Sequence, residues 1–304
     1  MRGLADAALL AVVAVGSVAA VPVLVRASWP RRSPAAAILL WQALGLAGGT
    51  AAVGTLLLVA EPGDGGGVAG ALQSLRTVMH DTDVLLIVAR LAAMTAGVAL
   101  FTLLCWVLAA ATVTVTYARR RQLALLALLA HGDPKVPGAL VLDHPAAAAY
   151  CVPGLRSKIV VSAGALKLLG PAELAAVLAH ERAHLRERHD LVLLPFTALR
   201  AAFPWSHTCT EAYREVAMLV EMLADDRALR ARPARELVSA LVRVGTAGQV
   251  SVGTLAALAG SDGEVTARVH RLLQPRHPLP VPAVAGICLG SALLAAAPVA
   301  LMFL

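Results

Sequence analysis

The sequence predicts a mainly α-helical membrane protein, in which four transmembrane helices carry one α+β domain with a small β-sheet. Three observations predict this class. Of the 304 residues, 59% are hydrophobic and 15% are charged, whereas a soluble domain is about 45–50% apolar and about 25% charged. Four stretches lack any charged residue, and each is long enough to cross a hydrocarbon core of about 30 Å as a helix. The segment between the third and fourth stretches has the length of one domain and holds 20 of the 26 Lys and Arg residues.

The uncharged stretches cover residues 7–25, 33–60, 91–118 and 277–304. The expected organisation is a three-span region at 1–118, with spans over about 7–25, 35–60 and 91–116, then a domain at 119–277 and a fourth span at 278–304. The first stretch follows Arg2, as a signal peptide would, but Asp6 and the poor cleavage sequence after it favour a retained span. A fifth uncharged run, 244–261, is less hydrophobic and is interpreted as soluble helix and loop.

Charge in the loops predicts the orientation, because short cytoplasmic loops carry an excess of Lys and Arg. Loop 26–34 has three arginines and no acid, loop 61–83 has four acids and one arginine, and Arg119-Arg120-Arg121 follows the third span. We therefore expect both termini outside the cytosol and a cytosolic basic domain close to an anionic inner leaflet. The basic residues do not cluster with aromatic ones, so nucleic-acid binding is not expected.

The cysteines predict neither disulfides nor a cysteine metal site. Cys105 and Cys288 fall within spans, and Cys151 and Cys209 fall in the predicted cytosolic domain, where thiols stay reduced. The sequence contains no CxxC pair.

Within the domain, the pattern predicts a small hairpin followed by several helices. The helix of the third span should continue to about His131 and end at Gly132-Asp133-Pro134. Two β-rich runs, 149–152 and 158–162, flank the turn signal Pro153-Gly154. Further helices are expected over about 170–190, 211–230, 233–244 and 264–273, the first of them with Pro171 at its favoured first position.

The helix at 170–190 contains the motif His180-Glu181-Arg182-Ala183-His184, an H-E-x-x-H pattern. The two histidines lie one turn apart on one helix face, so both imidazoles can reach one metal ion, and Glu181 is placed to hold a water on it. Neutral imidazole suits zinc, and a catalytic zinc needs three protein ligands and an open position for water. The motif predicts one catalytic Zn²⁺ bound by His180 and His184. The alternative is a surface helix with an accidental pair of histidines.

Glu221 is the predicted third ligand. It lies among apolar residues in the helix at 211–230, where a carboxylate is costly unless it is paired or binds a metal. Asp225 lies one turn further on and can accept the second N–H of a ligating histidine, which would orient that ring. The alternative is that Glu221 is a surface carboxylate paired with Arg214 or Arg227.

Several other polar side chains are weaker candidates. Competing third ligands are Glu211, Glu215 and His189, of which His189 should face partly away because it is five residues from His184. Asp190 is expected to brace the helix. For stabilising the oxyanion, the sequence offers Tyr213 and His207.

The chain combines H-E-R-A-H at 180–184 with E-M-L-A-D at 221–225, and it has three spans before these motifs and one after them. This combination resembles the BlaR/MecR-type membrane zinc metallopeptidases of bacteria. The similarity covers nearly the whole chain. It implies a gluzincin-like fold in the bacterial inner membrane, zinc on His180, His184 and Glu221, and Glu181 as general base. Known members sense β-lactams outside and trigger loss of a cytosolic winged-helix repressor. Here the sequence stops at Leu304, directly after the last span, so we expect neither an extracellular penicillin-binding domain nor β-lactam sensing by this chain alone.

Three functions follow as expectations. The first is a zinc-dependent regulatory endopeptidase that cleaves a cytosolic protein, such as a winged-helix repressor, held in extended form on the strand at 149–152 or 158–162. The second is a membrane quality-control metalloprotease resembling the HtpX/Ste24 group. The third is a non-catalytic membrane signalling scaffold, which the complete zinc-binding set disfavours.

Overall fold

A computed structural model describes residues 2–60, 84–134, 136–154, 157–247, 262–274 and 277–303. The predicted outer loop at 61–83, and most of the fifth uncharged run, lie outside the described residues. Helices are labelled α1 to α10 and strands β1 to β4 in chain order.

Four helices are long and apolar enough to cross a membrane, as the sequence predicts. They are α1 (Arg2–Arg26), α2 (Pro34–Val59), α3 (Val84–Leu129) and α10 (Val281–Phe303). A short 3-10 helix, Trp29–Arg32, lies in the loop between α1 and α2. At 46 residues, α3 is about 69 Å long, so it extends well beyond the thickness of a bilayer core.

Helix α2 packs against both α1 and α10. Small residues allow this close packing: Ala47 and Ala51 are fully buried. Gly54 has side-chain atoms of Leu10 and Met302 within 3.0 Å of the position that a Cβ would occupy. A larger side chain at Gly54 would therefore force the Leu10 and Met302 side chains to shift.

The chain forms two compact units. The first comprises Met1–Ala110, Pro195–Val216 and Pro278–Leu304, and the second comprises Ala111–Leu194 and Ala217–His277. Residues 195–216 therefore belong to the same compact unit as the apolar helices, although in sequence they lie between the two halves of the second unit.

A four-stranded sheet in the second unit has the order β1-β2-β4-β3. Its strands are β1 (Ala130–Gly132), β2 (Ala139–Leu142), β3 (Ala149–Val152) and β4 (Lys158–Ser162). The predicted hairpin is confirmed, since β3 and β4 are antiparallel. Strand β2, which the sequence analysis did not predict, pairs in parallel with the other side of β4. Among the described residues, β4 is therefore an inner strand, and β3 has one unpaired edge.

The remaining helices are α4 (Ala163–Leu168), α5 (Pro171–Arg186), α6 (His189–Ala202), α7 (His207–Ala228), α8 (Ala234–Ala247) and α9 (Asp262–Leu273). Helix α5 packs against β3, β4 and α8. Glu173 fixes its beginning, because the carboxylate accepts hydrogen bonds from the Gly170 N–H at 2.8 Å and from the Ser239 hydroxyl at 2.5 Å, and pairs with Arg243.

The expected helix over 170–190 is wrong at its C-terminal end. Helix α5 stops at Arg186, and a new helix, α6, starts at His189. The break occurs because Arg188 adopts a left-handed backbone conformation, with φ of 49°, which ends an α-helix. The expectation that His189 faces away from His184 therefore fails, because it assumed one continuous helix.

Candidate metal centre

The structure brings together the three predicted ligands of the second unit. The Nε2 atoms of His180 and His184 are 3.0 Å apart. Oε2 of Glu221 lies 3.3 Å from the first of these nitrogens, and Oε1 lies 3.4 Å from the second. Among the described residues, these three form the group whose ligand atoms can share one ion.

The distances fit a zinc ion. Ligands at about 2.0–2.1 Å in a tetrahedron lie about 3.3 Å from one another, which is close to the separations observed. The two imidazoles differ in ionisation: burial lowers the pKa of His184 to about 3, whereas the nearby Asp225 and Glu221 overcome the effect of burial and raise the pKa of His180 to about 10. The carboxylates thus favour a positive charge at this point, which a divalent cation would provide.

The outer nitrogen of each histidine lies close to one other polar side chain. Asp225 Oδ1 lies 3.0 Å from His180 Nδ1, and Asp225 is fully buried. His189 Nδ1 lies 3.0 Å from His184 Nδ1, with the two rings perpendicular. When each ligating histidine donates through Nδ1–H, its Nε2 lone pair is directed at the shared position, as a metal ligand requires.

Arg268 of α9 neutralises the carboxylates around the cluster. Its guanidinium binds Asp225 in bidentate fashion at 2.9 and 2.7 Å, and its Nη1 lies 2.8 Å from Glu221 Oε2. Burial would raise the pKa of Glu221, but Arg268 and His180 hold it well below its usual range. With Glu181, the site contains three carboxylates and one arginine, so a divalent cation would make it neutral overall.

Glu181 lies beside the ligands and is held by Cys151 of β3. Burial raises the pKa of the Glu181 carboxyl to about 7, against the opposing effect of His180. The Cys151 thiol donates a hydrogen bond to this carboxylate, and its own pKa is raised, first by burial and then by Glu181. Cys151 is thus a protonated donor. A carboxyl with a pKa near neutrality is suited to taking up and releasing a proton.

The weaker candidates have other partners. Glu211 pairs with the exposed His207 at 3.4 Å, and the ring of Tyr213 lies under the guanidinium of Arg200 at 4.1 Å. Asp190 binds Arg119 at 2.9 Å and Arg188 at 3.2 Å. Arg227, the suggested partner of Glu221, instead pairs with Glu187. All four cysteines are free thiols.

Arg268, Cys151 and the position of His189 were not predicted from the sequence. A signal for Arg268 existed, because Val265, Arg268 and Leu272 share one face of α9 by their spacing, and Leu272 is buried. A charged residue on an apolar helix face is rarely buried without a partner. No comparable signal marked Cys151 or the break before His189.

Comparison with known families gives one match. Residues 116–210 match the sequence model of Peptidase family M48. The matched segment contains the H-E-x-x-H motif and ends before Glu221. The match supports a membrane-type zinc metalloprotease. It does not support the more specific BlaR/MecR-type assignment. No curated protein and no solved structure matches the chain.

Proposed function

We propose that this protein is a membrane-anchored zinc metalloendopeptidase that cleaves cytosolic protein substrates. The observation that carries the proposal is the convergence of His180 Nε2, His184 Nε2 and the Glu221 carboxylate, with the Glu181 carboxyl close enough to interact electrostatically with His180 and Glu221. A structural pair of histidines would need neither a third ligand nor a buried carboxyl with a raised pKa. The match to Peptidase family M48 independently supports the same chemistry.

Each residue has a distinct part in peptide hydrolysis. Zinc held by His180, His184 and Glu221 would supply Lewis acidity towards the scissile carbonyl and towards a water molecule. Glu181 takes a proton from the attacking water and passes it to the leaving nitrogen, which its pKa of about 7 permits near neutral pH. Asp225 and His189 keep the ligating rings in orientation, and Arg268 holds Glu221 and Asp225 in place.

The unpaired edge of β3 supports an extended substrate. Of the two strands considered from sequence, β4 is paired on both sides, whereas β3 pairs only with β4 among the described residues. Cys151 of β3 also contacts Glu181, so a peptide added along this edge would pass close to the general base. Main-chain hydrogen bonds of this kind bind many sequences with little selectivity.

We further propose a regulatory role, with a transcriptional repressor or another signalling protein as substrate. Three apolar helices precede the motif and one follows it. This order supports the choice, because it is part of the resemblance to BlaR/MecR-type peptidases. Cleavage on the cytosolic face requires the orientation that the loop charges predict, with Arg119-Arg120-Arg121 inside.

The test compares the full chain and Glu181→Gln in lipid nanodiscs, with zinc quantified in both. The substrate is a purified winged-helix repressor; we expect the wild type to cleave it, and the variant to retain zinc but cleave about 10²–10⁴-fold more slowly. Undiminished cleavage by the variant would refute the assignment of Glu181. Indiscriminate cleavage of unfolded membrane proteins would instead favour the quality-control alternative.

A further inference from the structure

The turn between α6 and α7 exposes Trp205, whose neighbour Phe203 is half-buried. Trp205 is 78% exposed, and its ring packs edge-on against Phe203 with the centroids 5.9 Å apart. Outside the four candidate spans, the large apolar side chains exposed in the described part of the chain are Leu191, Trp205, Val242 and Leu273. Trp205 is the largest of them and the one aromatic, so its exposure needs an explanation.

This turn belongs to the same compact unit as the apolar helices. Burial raises the pKa of Glu215 in α7, and the Arg31 guanidinium opposes that rise, so the two side chains lie near each other. Arg31 is in the short loop between α1 and α2. Because that loop joins two candidate spans directly, insertion of those spans places the loop at the membrane surface and Glu215 near that surface.

The distance from Glu215 to the turn is short. Helix α7 starts at His207, eight residues before Glu215, and at 1.5 Å per residue this is about 12 Å. The head-group region on each side of a bilayer core is several ångströms thick. The start of α7 is therefore at most about 12 Å further from the α1–α2 loop than Glu215 is, which leaves the turn at 203–206 close to the same side of the membrane.

The chemistry of the segment fits the bilayer interface. Trp and Tyr are enriched at membrane–water interfaces because each ring is apolar and carries one polar atom. Arg200, whose guanidinium covers the ring of Tyr213 at 4.1 Å, and Arg214 are both exposed. Long arginine side chains can place their charge among phosphates while their stems stay in apolar surroundings.

We propose that residues 203–206, with the adjoining ends of α6 and α7, form an interfacial anchor whose Trp205 and Phe203 side chains sit in the phospholipid head-group region. The anchor rests on the proposed membrane insertion of the four apolar helices. Its partner is the phospholipid bilayer that those helices cross.

The experiment uses the fluorescence of the full chain in nanodiscs. The chain has four tryptophans, so the difference between wild type and Trp205→Phe gives the emission of Trp205. Nanodiscs are prepared with unbrominated phosphatidylcholine, with lipid brominated near the glycerol end, and with lipid brominated near the methyl end. Iodide in the buffer measures access from water. Trp205→Tyr, measured with Trp-selective excitation, replaces Trp205→Phe if that variant does not assemble.

Trp106 is the matched control, because it is 71% exposed on α3 within a candidate span. The emission of Trp106 is the difference between the wild type and Trp106→Phe. It should be quenched most by the deep bromines, which are those near the methyl end of the lipid. We expect the emission of Trp205 to be quenched most by the shallow bromines, which are those near the glycerol end of the lipid. The deep bromines should quench it less, and iodide should quench it little.

Two results would overturn the anchor. Strong iodide quenching of Trp205 without bromolipid quenching would place it in water, available to a protein partner. Quenching of Trp205 mainly by the deep bromines would place it in the hydrocarbon core. Failure of the bromines to quench Trp106 would refute membrane insertion of α3 itself, which is a separate outcome from failure of the anchor.

Discussion

Replacing Asp225 by Asn removes one negative charge from the candidate metal centre and preserves the shape of the side chain. Asp225 is fully buried, lies 3.0 Å from His180 Nδ1 and binds Arg268 through both oxygens. Asn has one acceptor oxygen and an NH2 donor in place of the second, so it cannot bind the guanidinium through both terminal atoms, and its neutral oxygen holds the His180 ring less strongly. The substitution should therefore weaken the orientation of a ligand without touching the ion.

The expected magnitude follows from the role of such partners in metal sites. Loss of the group that orients a ligating histidine lowers metal affinity about 10–100-fold, which corresponds to about 1.4–2.7 kcal/mol. Electrostatics act in the same direction, because the centre loses a negative charge that favours a divalent cation. The two effects add, so we expect a loss towards the upper end of this range.

The assay is competition for zinc between the purified chain and a chromophoric chelator. Asp226→Asn is the matched control, since Asp226 is the next residue and also forms a bidentate pair, with Arg271 at 2.8 and 2.9 Å, but is not among the partners of the ligating histidines. Asp226→Asn should leave the zinc affinity within about twofold of the wild type, the range expected for a site left intact. Equal affinities for Asp225→Asn and the wild type would refute the proposed orientation of His180.

Three further predictions concern single side chains. Glu181→Gln should retain one zinc per chain and lower kcat with little change in KM, as measured by metal analysis and peptide cleavage; loss of zinc instead would make Glu181 a ligand. Hydrogen bonds from Ser239 and Gly170 lower the pKa of Glu173. The ionised carboxylate therefore stabilises the fold at pH values above its ordinary pKa of about 4.5, and this stabilisation is lost as the pH falls through the lowered pKa. Glu173→Gln should therefore reduce the unfolding free energy by about 1 kcal/mol at neutral pH, and thermal unfolding should show this difference vanishing in acid; a difference independent of pH would contradict the role. Since burial raises the pKa of Cys151, maleimide should label it far more slowly in the folded chain than in denaturant, as followed by mass spectrometry; equal rates would show an accessible thiol.

The grouping of residues in the candidate metal centre was largely predictable because these residues follow helical spacing. His180 and His184 are four apart in one helix, as are Glu221 and Asp225, so each pair needs only local structure to face the same way. The meeting of the two helices could be anticipated from chemistry, since a buried Glu221 requires a cation or a partner.

What could not be predicted depends on tertiary structure. The break at Arg188 needs a left-handed backbone at a residue that seldom adopts one, and without that break His189 would not reach His184. Cys151 contacts Glu181 only because α5 packs against β3, and β2 is too short to stand out from the loop around it. These contacts join segments that are distant in the chain and carry no local pattern.

The central claim is that His180, His184 and Glu221 hold one zinc ion. X-ray absorption spectroscopy at the zinc edge of the purified full-length protein tests it most directly. The account predicts one zinc per chain with nitrogen and oxygen ligands at about 2.0–2.2 Å, and loss of this signal in His184→Ala. A protein purified with zinc present that binds none, or a zinc with a sulfur ligand at about 2.3 Å, would contradict it.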